Sequence, residues 1–173
     1  MIKNRNGEYL LKENIQIREE LLEVIEHLTD EQLNKKVNNE KWSIMQVLEH
    51  LYIMESKLVK LMTRTFNEAP SEVIQDKPIH LATDRTKKIT SPPHFEPTDQ
   101  FITKMEMTEK LNQSRKSLHE FVELTKVHKL DDKGMPHPIF GQINLKQWIP
   151  FIGVHEKRHI EQIRELKNEL FIK

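Results

Sequence analysis

The fold is decided by the stretch WIPFIGVHEKRHIEQIRELKNEL, residues 148–170. Within it, one series of side chains recurs at intervals of three or four residues, the spacing that keeps one face of an α-helix against a core. The members of this series are Trp148, Ile152, His155, His159, Ile163, Leu166 and Leu170. Two imidazoles therefore occupy positions in a row that otherwise carries apolar side chains.

The two histidines of this row, His155 and His159, lie one helical turn apart, so their ring nitrogens can meet at a point beside the helix. A buried polar side chain costs roughly 1–3 kcal/mol unless it finds a partner. A metal ion would be that partner for both rings at once, whereas the simpler alternative is a pair of hydrogen-bonded core histidines. The spacing predicts a metal site, which needs a further ligand because zinc and similar ions usually take three or four from the protein.

His50 is the candidate for that further ligand. It lies on the flank of an apolar helical stripe, from which it can face a bundle interior without occupying its centre. For His50 taken alone, a hydrogen-bonded core histidine is an equal alternative. The stripe comprises Val47, Leu51, Met54, Leu58 and Leu61. The other histidines lie in helical patterns without a second imidazole one turn away, or in connections, and they are His27, His80, His94, His119, His128 and His137.

The composition restricts the chemistry. With 173 residues the chain is long enough for one domain with its own core, which we expect to span 1–173. It has no cysteine, so a thiol would have to come from a substrate or cofactor. Lys+Arg and Asp+Glu are both 27, which gives no support to nucleic acid as a partner. No apolar run suits a membrane span or a signal peptide, so we expect a soluble cytoplasmic protein.

Four amphipathic patterns predict an all-α, four-helix bundle. We expect the helices near residues 8–28, 43–66, 105–127 and 145–168, without a confident strand, and with 137–143 as a turn or short extended piece. Ser43 with Gln46, and Asn144 with Gln147, have the spacing of helix N-caps. The predicted inward side chains are Leu10, Ile17, Leu21, Val24 and Leu28 in the first helix, and Leu111, Leu118, Phe121 and Val122 in the third.

The connection between the second and third helices is unusually long. Residues 67–100 contain five prolines, too many for a helix interior. A segment of this length can cross from one end of a bundle to the other, as in bundles that depart from the up-down-up-down arrangement. We therefore predict a crossover between helices two and three.

Residues His155 to His159 also match the H-E-x-x-H pattern of zinc metalloproteases, in which the glutamate acts as general base. The extended metzincin pattern fails, because Gln162 stands where that pattern needs glycine. No strand pattern is present to bind a peptide substrate at a sheet edge. The match is therefore weak support for a protease.

A different resemblance covers almost the whole chain. WS at 42–43 followed by QVLEHL at 46–51 resembles the opening of helix two in the DinB-like superfamily. HPIFG at 137–141, then Trp148, then HEKRHIEQ at 155–162, resembles the C-terminal signature of the same family. The segment Asp84-Arg85-Thr86 and the proline-rich crossover resemble it less specifically. This superfamily includes metal-dependent hydrolases and transferases of low-molecular-weight thiols.

The resemblance implies a four-helix bundle with a divalent metal between helices two and four. The family's three histidine ligands correspond to His50, His155 and His159, in agreement with the inward faces derived above. Zinc or nickel suits imidazole ligands. The resemblance also implies a small-molecule substrate and a homodimer, the latter by analogy only.

Three neutral imidazoles leave an open coordination position, which suits two reactions. Activation of water would give a hydrolase, and activation of a thiol such as bacillithiol or glutathione would give a thiol S-transferase acting on an electrophile. The resemblance favours the transferase; a non-enzymatic, stress-associated metal-binding protein is a further alternative. Secondary catalytic candidates are Gln162 and Glu156, for which the alternatives are a helix-flank amide and an inter-helix contact. For Arg158 we expect an ion pair rather than an anion-binding role, and for Trp148 a place in the core.

Overall fold

In the computed structural model, which describes residues 7–86 and 91–170, four long helices form a bundle. The helices are α1 (Glu8–Ile25), the short α2 (Asp30–Asn34), α3 (Ile44–Glu68), α4 (Lys104–Leu124) and α5 (Leu145–Glu169). The predicted four-helix bundle is confirmed, and each long helix begins within one residue of its predicted start. Among the described residues, no helix has the length and apolar character needed to cross a membrane.

The helix directions explain the long connection. α1 lies beside α5 and α3 beside α4, and in both pairs the two helices run in the same direction, because their contacts advance together along the two sequences. These contacts are Asn14–Ile149 and Val24–Lys167 for the first pair, and Glu55–Arg115 and Phe66–Phe121 for the second. Because α4 runs parallel to α3, it cannot begin where α3 ends. The chain must first return along the bundle to the end at which α3 begins. The described parts of the connection, residues 69–86 and 91–103, belong to that return, which confirms the predicted crossover.

The predicted caps are present at both helix starts. The Ser43 hydroxyl accepts from the Gln46 N–H, and the Gln46 side chain accepts from the Ser43 N–H, completing a capping box. The Asn144 side chain accepts from the Gln147 N–H at 2.9 Å. These caps fix where α3 and α5 begin, and thereby the rotation at which His50 and His155 leave their helices.

The structure corrects several predicted inward positions. In α1, the predicted residues Ile17 and Val24 are partly buried and pack against the edge of the core, whereas the unpredicted Asn14 and Arg18 are buried at its centre. In α3, Leu61 is 46% exposed, and the neighbouring Met62 is buried in its place. Selecting apolar residues alone misplaced these faces because the true α1 face carries polar side chains at its centre. The predicted inward residues of α4 are all buried.

A small β-hairpin, which the sequence did not predict with confidence, precedes α5. Strands β1 (Gly134–His137) and β2 (Gly141–Asn144) pair antiparallel, with Met135 opposite Ile143. Gly141 has a φ of 70°, a left-handed conformation that favours glycine at the end of the turn. The strands are too short and too polar in sequence to produce a clear alternation, and their position is set by packing against the end of the bundle.

The core consists of two apolar halves separated by a charged layer. One half lies near the hairpin and includes Leu58, Leu118 and Trp148, which confirms the predicted core role of Trp148. The other half lies near α2 and includes Leu48, Leu111 and Ile163. Between the halves are four buried charged residues, Arg18, Glu55, Arg115 and Glu156, one from each long helix.

Candidate metal centre

Three histidine side chains from α3 and α5 converge beside the charged layer. One nitrogen each from His50, His155 and His159 can be chosen so that all three lie within 4.8 Å of one another. The ring centroid of His50 is 5.3 Å from that of His155 and 4.9 Å from that of His159. The helix spacing and the flank position of His50 had predicted this meeting, and the structure brings the three rings together.

The spacing of these nitrogens suits one metal ion. The Nε2 atoms of His155 and His159 are 3.2 Å apart. Two nitrogen ligands at about 2.0–2.1 Å from a tetrahedral ion are separated by roughly 3.3 Å, which is close to that value. Two neighbouring ring nitrogens at this distance can share either one proton or one metal ion. The donor set consists of three imidazoles, which is a set that zinc and nickel accept.

Hydrogen bonds orient two of the three rings. His50 Nδ1 lies 2.8 Å from the carbonyl oxygen of Phe95, which can only accept, so this nitrogen carries the proton. His159 Nδ1 lies 2.8 Å from Gln162 Oε1 and likewise donates. Both rings therefore present an unprotonated Nε2, the form that binds a metal. Gln162, which the sequence offered as a secondary catalytic candidate, accepts a hydrogen bond from the His159 ring; a catalytic part for it stays a prediction.

All three imidazoles are biased toward the neutral state. Burial lowers the pKa of His50, against which the hydrogen bond to Phe95 acts weakly. Burial, followed by the neighbouring histidines, lowers the pKa of His155 well below 6.5. Burial lowers the pKa of His159 to about 3, with a further contribution from His50 and an opposing one from Gln162. Neutral rings at physiological pH are the state that metal coordination requires.

Aromatic side chains flank the histidines. The Trp42 ring lies 5.1 Å from His50, and the Phe151 ring lies 6.3 Å from His155. Trp42, which immediately precedes the capped start of α3, thus contacts a site residue. Beyond Phe151, His137 packs against Trp148 at 5.5 Å between centroids. These rings form an apolar border on the site.

The crossover is fastened to α5 near the site. Arg158 donates to the carbonyl oxygens of Ala82 and Asp84. Arg85 donates to both carboxylate oxygens of Glu165, at 3.2 and 2.7 Å. Arg158 therefore helps to hold the crossover in place through backbone carbonyls, and the ion pair expected for it stays a prediction.

Glu156 is not placed to act as a catalytic base. Its carboxylate oxygens accept hydrogen bonds from Arg18 at 2.7 and 3.0 Å and from Arg115 at 2.6 Å, in a buried position. Its sequence position one residue after His155 turns it toward the charged layer rather than toward the histidines. The inter-helix alternative is thus the one realised, and the H-E-x-x-H match has no protease geometry.

The remaining members of the charged layer were missed by the sequence analysis. Glu55 accepts from Arg18 at 2.9 Å and from Arg115 at 2.6 Å, so two acids and two bases alternate around the layer. A signal did exist, because these residues continue apolar series at helical spacing. The series are Asn14, Arg18, Leu21, Ile25 in α1, Leu51, Glu55, Leu58, Met62 in α3 and Leu111, Arg115, Leu118, Val122 in α4. The same reasoning that selected the histidines would have selected them.

Comparison with known proteins identifies the family. The model of the DinB superfamily matches residues 14–163, which include all three histidines, the capped start of α3 and the hairpin. The chain belongs to the DinB superfamily. A relative, the uncharacterized protein YuaE of Bacillus subtilis (strain 168), is 37% identical over 143 residues, which cover 83% of this chain and 88% of YuaE.

Two solved structures share the fold of this DinB-superfamily chain. TT2238, described as a four-helix bundle protein, has a TM-score of 0.65 at 18% identity, covering 92% of this chain and 98% of its own. YfiT of Bacillus subtilis, described as a probable metal-dependent hydrolase with an unusual four-helix bundle topology, has a TM-score of 0.64 at 16% identity, covering 100% of this chain and 92% of its own. At these identities the likeness establishes the fold alone.

Proposed function

We propose that this protein is a metal-dependent enzyme that transfers a low-molecular-weight thiol to an electrophilic small molecule. The observation that carries the proposal is the convergence of three imidazoles within 4.8 Å, at a border of aromatic rings. His50, His155 and His159 are the proposed ligands of a divalent ion, zinc or nickel. Family membership supports this assignment, because the matched region contains all three residues.

The chain's own residues prepare the site for a cation. Phe95 and Gln162 hold His50 and His159 with Nδ1 protonated, so the Nε2 lone pairs are available without a change of tautomer. Three neutral ligands leave the positive charge of the site uncompensated, which favours an anionic reactant. When bound, a divalent ion supplies a Lewis acid that lowers the pKa of a thiol or water molecule beside it.

The absence of cysteine from the sequence decides where a thiol would come from. A transferase of this kind would have to bind a small thiol such as bacillithiol or glutathione as its second substrate. The thiol would release its proton to solvent, and its sulfur would form a bond to an electrophilic carbon while the bond from that carbon to the leaving group breaks and the group departs with the electron pair. Trp42, which is partly exposed beside His50, would contribute apolar contacts to the organic part of a substrate.

Hydrolysis on the same residues is the second candidate. It is favoured by YfiT, which shares the fold and is described as a probable metal-dependent hydrolase. The nucleophile would then be water, and no thiol would be needed. The third candidate is a non-enzymatic metal-binding protein, for which we expect bound metal but no turnover.

The deciding experiment uses protein purified without a nickel-binding tag and loaded with zinc or nickel. An electrophile such as chlorodinitrobenzene is offered with and without bacillithiol or glutathione, to loaded and to chelated protein. A transferase shows turnover that saturates in thiol and is lost on chelation. Turnover of the electrophile by the metal-loaded protein without thiol would contradict the transferase and support a hydrolase. Metal binding without turnover in any arm would support the binding protein.

A further inference from the structure

A buried carboxylate, Glu49, immediately precedes His50 in α3. Only 7% of the residue is exposed. Its Oε2 accepts hydrogen bonds from the Thr98 backbone N–H at 2.7 Å and from the Thr98 hydroxyl at 3.0 Å, and its Oε1 lies 3.2 Å from the same hydroxyl. Glu49 therefore ties α3 to the last part of the crossover through a single residue.

The partners of Glu49 are unusual for a buried acid. Across residues 7–86 and 91–170, its hydrogen bonds all come from Thr98 and it forms no salt bridge. Burying a carboxylate without a basic partner is costly, and hydrogen bonds must offset that cost. By contrast, Glu55 and Glu156 are each paired with two arginines. The hydrogen bonds of Glu49 instead attach α3 to the crossover.

The segment held by Thr98 carries the carbonyl that orients His50. Phe95 lies three residues before Thr98, and Pro97 between them restricts the backbone. On the other side, the 3₁₀ turn Pro93–Phe95 is closed by a hydrogen bond from the Phe95 N–H to the Pro92 carbonyl at 2.9 Å. Because few backbone torsions between Phe95 and Thr98 are free to rotate, the position of the Phe95 carbonyl depends on where Thr98 is anchored.

Two further attachments support the same segment. Gln46 Nε2 donates to the Thr98 carbonyl at 2.9 Å, and another attachment lies further along α3. The Lys57 ammonium group donates to the His94 carbonyl and lies 5.9 Å from the centre of the Phe95 ring. Glu49, His50 and Lys57 thus contact the segment from one side of α3, and His50 is the member that also faces the other two histidines.

We propose that Glu49 is a positioning residue for the three-histidine site. Through Thr98 it fixes the Phe95 carbonyl, and through that carbonyl it fixes the ring of His50. This inference rests on the metal site proposed above. It assigns to the proline-rich crossover a part in metal binding that the histidine ligands alone do not require.

The test measures cobalt(II) binding by competition with a chelating dye, together with the visible absorption of the cobalt-saturated protein. Glu49→Ala should bind cobalt about 10–100-fold more weakly and show a changed absorption spectrum, because His50 loses its orientation. Glu49→Gln should retain most of the affinity, since an amide can still accept from the Thr98 N–H and donate to its hydroxyl. Thr98→Val should weaken binding, and Thr98→Ser should restore it.

The matched control is Glu106→Ala. Glu106 accepts from the N–H and the hydroxyl of Thr103 at 2.9 and 2.8 Å, in an exposed capping box at the start of α4 and outside the three-histidine cluster. The Glu106→Ala variant should have the cobalt affinity and the absorption spectrum of the wild-type protein. Equal effects of Glu49→Ala and Glu106→Ala would overturn the inference, as would a Glu49→Gln loss as large as that of Glu49→Ala.

Failure of the underlying metal site has a separate readout, because the wild-type protein would then bind no cobalt. If Glu49→Ala does not fold by circular dichroism, the Thr98 variants decide. Indistinguishable affinities for Thr98→Val and Thr98→Ser would contradict the positioning role.

Discussion

Arg18 of α1 and Glu156 of α5 form a two-point ion pair in the middle of the bundle, with the Nε and Nη2 atoms donating to separate carboxylate oxygens at 2.7 and 3.0 Å. Both residues are buried. The planar guanidinium matches the carboxylate in this arrangement, so the pair also fixes the relative rotation of the two helices. One residue before Glu156, His155 is thereby turned toward His50.

Replacing Glu156 should therefore reduce stability. Glu156→Gln leaves Arg18 and Arg115 with a single acidic partner in a buried layer, and we expect a loss of about 3–5 kcal/mol in the free energy of unfolding. Urea denaturation followed by circular dichroism measures it. The control is Glu68→Gln, which breaks the exposed pair with Arg64 and should leave the free energy of unfolding nearly unchanged. Unchanged stability combined with lost activity would instead indicate a catalytic base.

Glu55 should make the stability of the protein sensitive to acid. Burial alone would raise the pKa of Glu55, but Arg18, Arg115 and the Ser114 hydroxyl outweigh it and lower the pKa below 4.5. Its stabilising contribution is therefore complete above pH 4.5, the value of the unfolded carboxyl, and is lost as the pH falls through the lowered folded-state value. Glu55→Gln, which cannot titrate, should be less stable than the wild type at pH 7, and the difference should narrow as the pH falls below 4.5. A difference that is constant with pH would be inconsistent with this assignment.

Removing one proposed ligand should remove the metal. His155→Ala is expected to lose stoichiometric zinc after dialysis, because two imidazoles rarely hold the ion alone. His94→Ala serves as the control, since His94 is exposed and lies outside the three-histidine cluster. Metal analysis of both variants by mass spectrometry is the measurement. Full zinc content in His155→Ala would refute the ligand assignment.

The hydrogen bond from His159 to Gln162 should contribute to metal affinity. Gln162→Leu removes the acceptor 2.8 Å from His159 Nδ1, and zinc affinity should fall about 10–100-fold. Gln162→Glu retains an acceptor oxygen and should preserve binding. As a control, Gln113→Leu changes an exposed amide on α4 and should have no effect. Similar affinities for the two leucine variants would show that Gln162 does not orient the ring.

By itself, the sequence determined what depends on spacing within one helix. The convergence of His155 and His159 follows from the helical repeat, as do the capped starts at Ser43 and Asn144 and the need for a crossover through the prolines of residues 67–100. The family resemblance then assigned His50 as a metal ligand together with His155 and His159.

Only the tertiary structure decided which polar groups meet. Arg18 lies inward because its partner Glu156, 138 residues away, neutralises it there. Helical spacing can mark Arg18 as a member of the inward series, but it does not reveal which acid on another helix pairs with it. The group that orients His50 is a backbone carbonyl at Phe95, 45 residues away, and a backbone carbonyl is present at every position whatever the side chain. Spacing fixes contacts within a helix because its geometry is constant, but contacts between helices depend on the free energy of the whole packed arrangement.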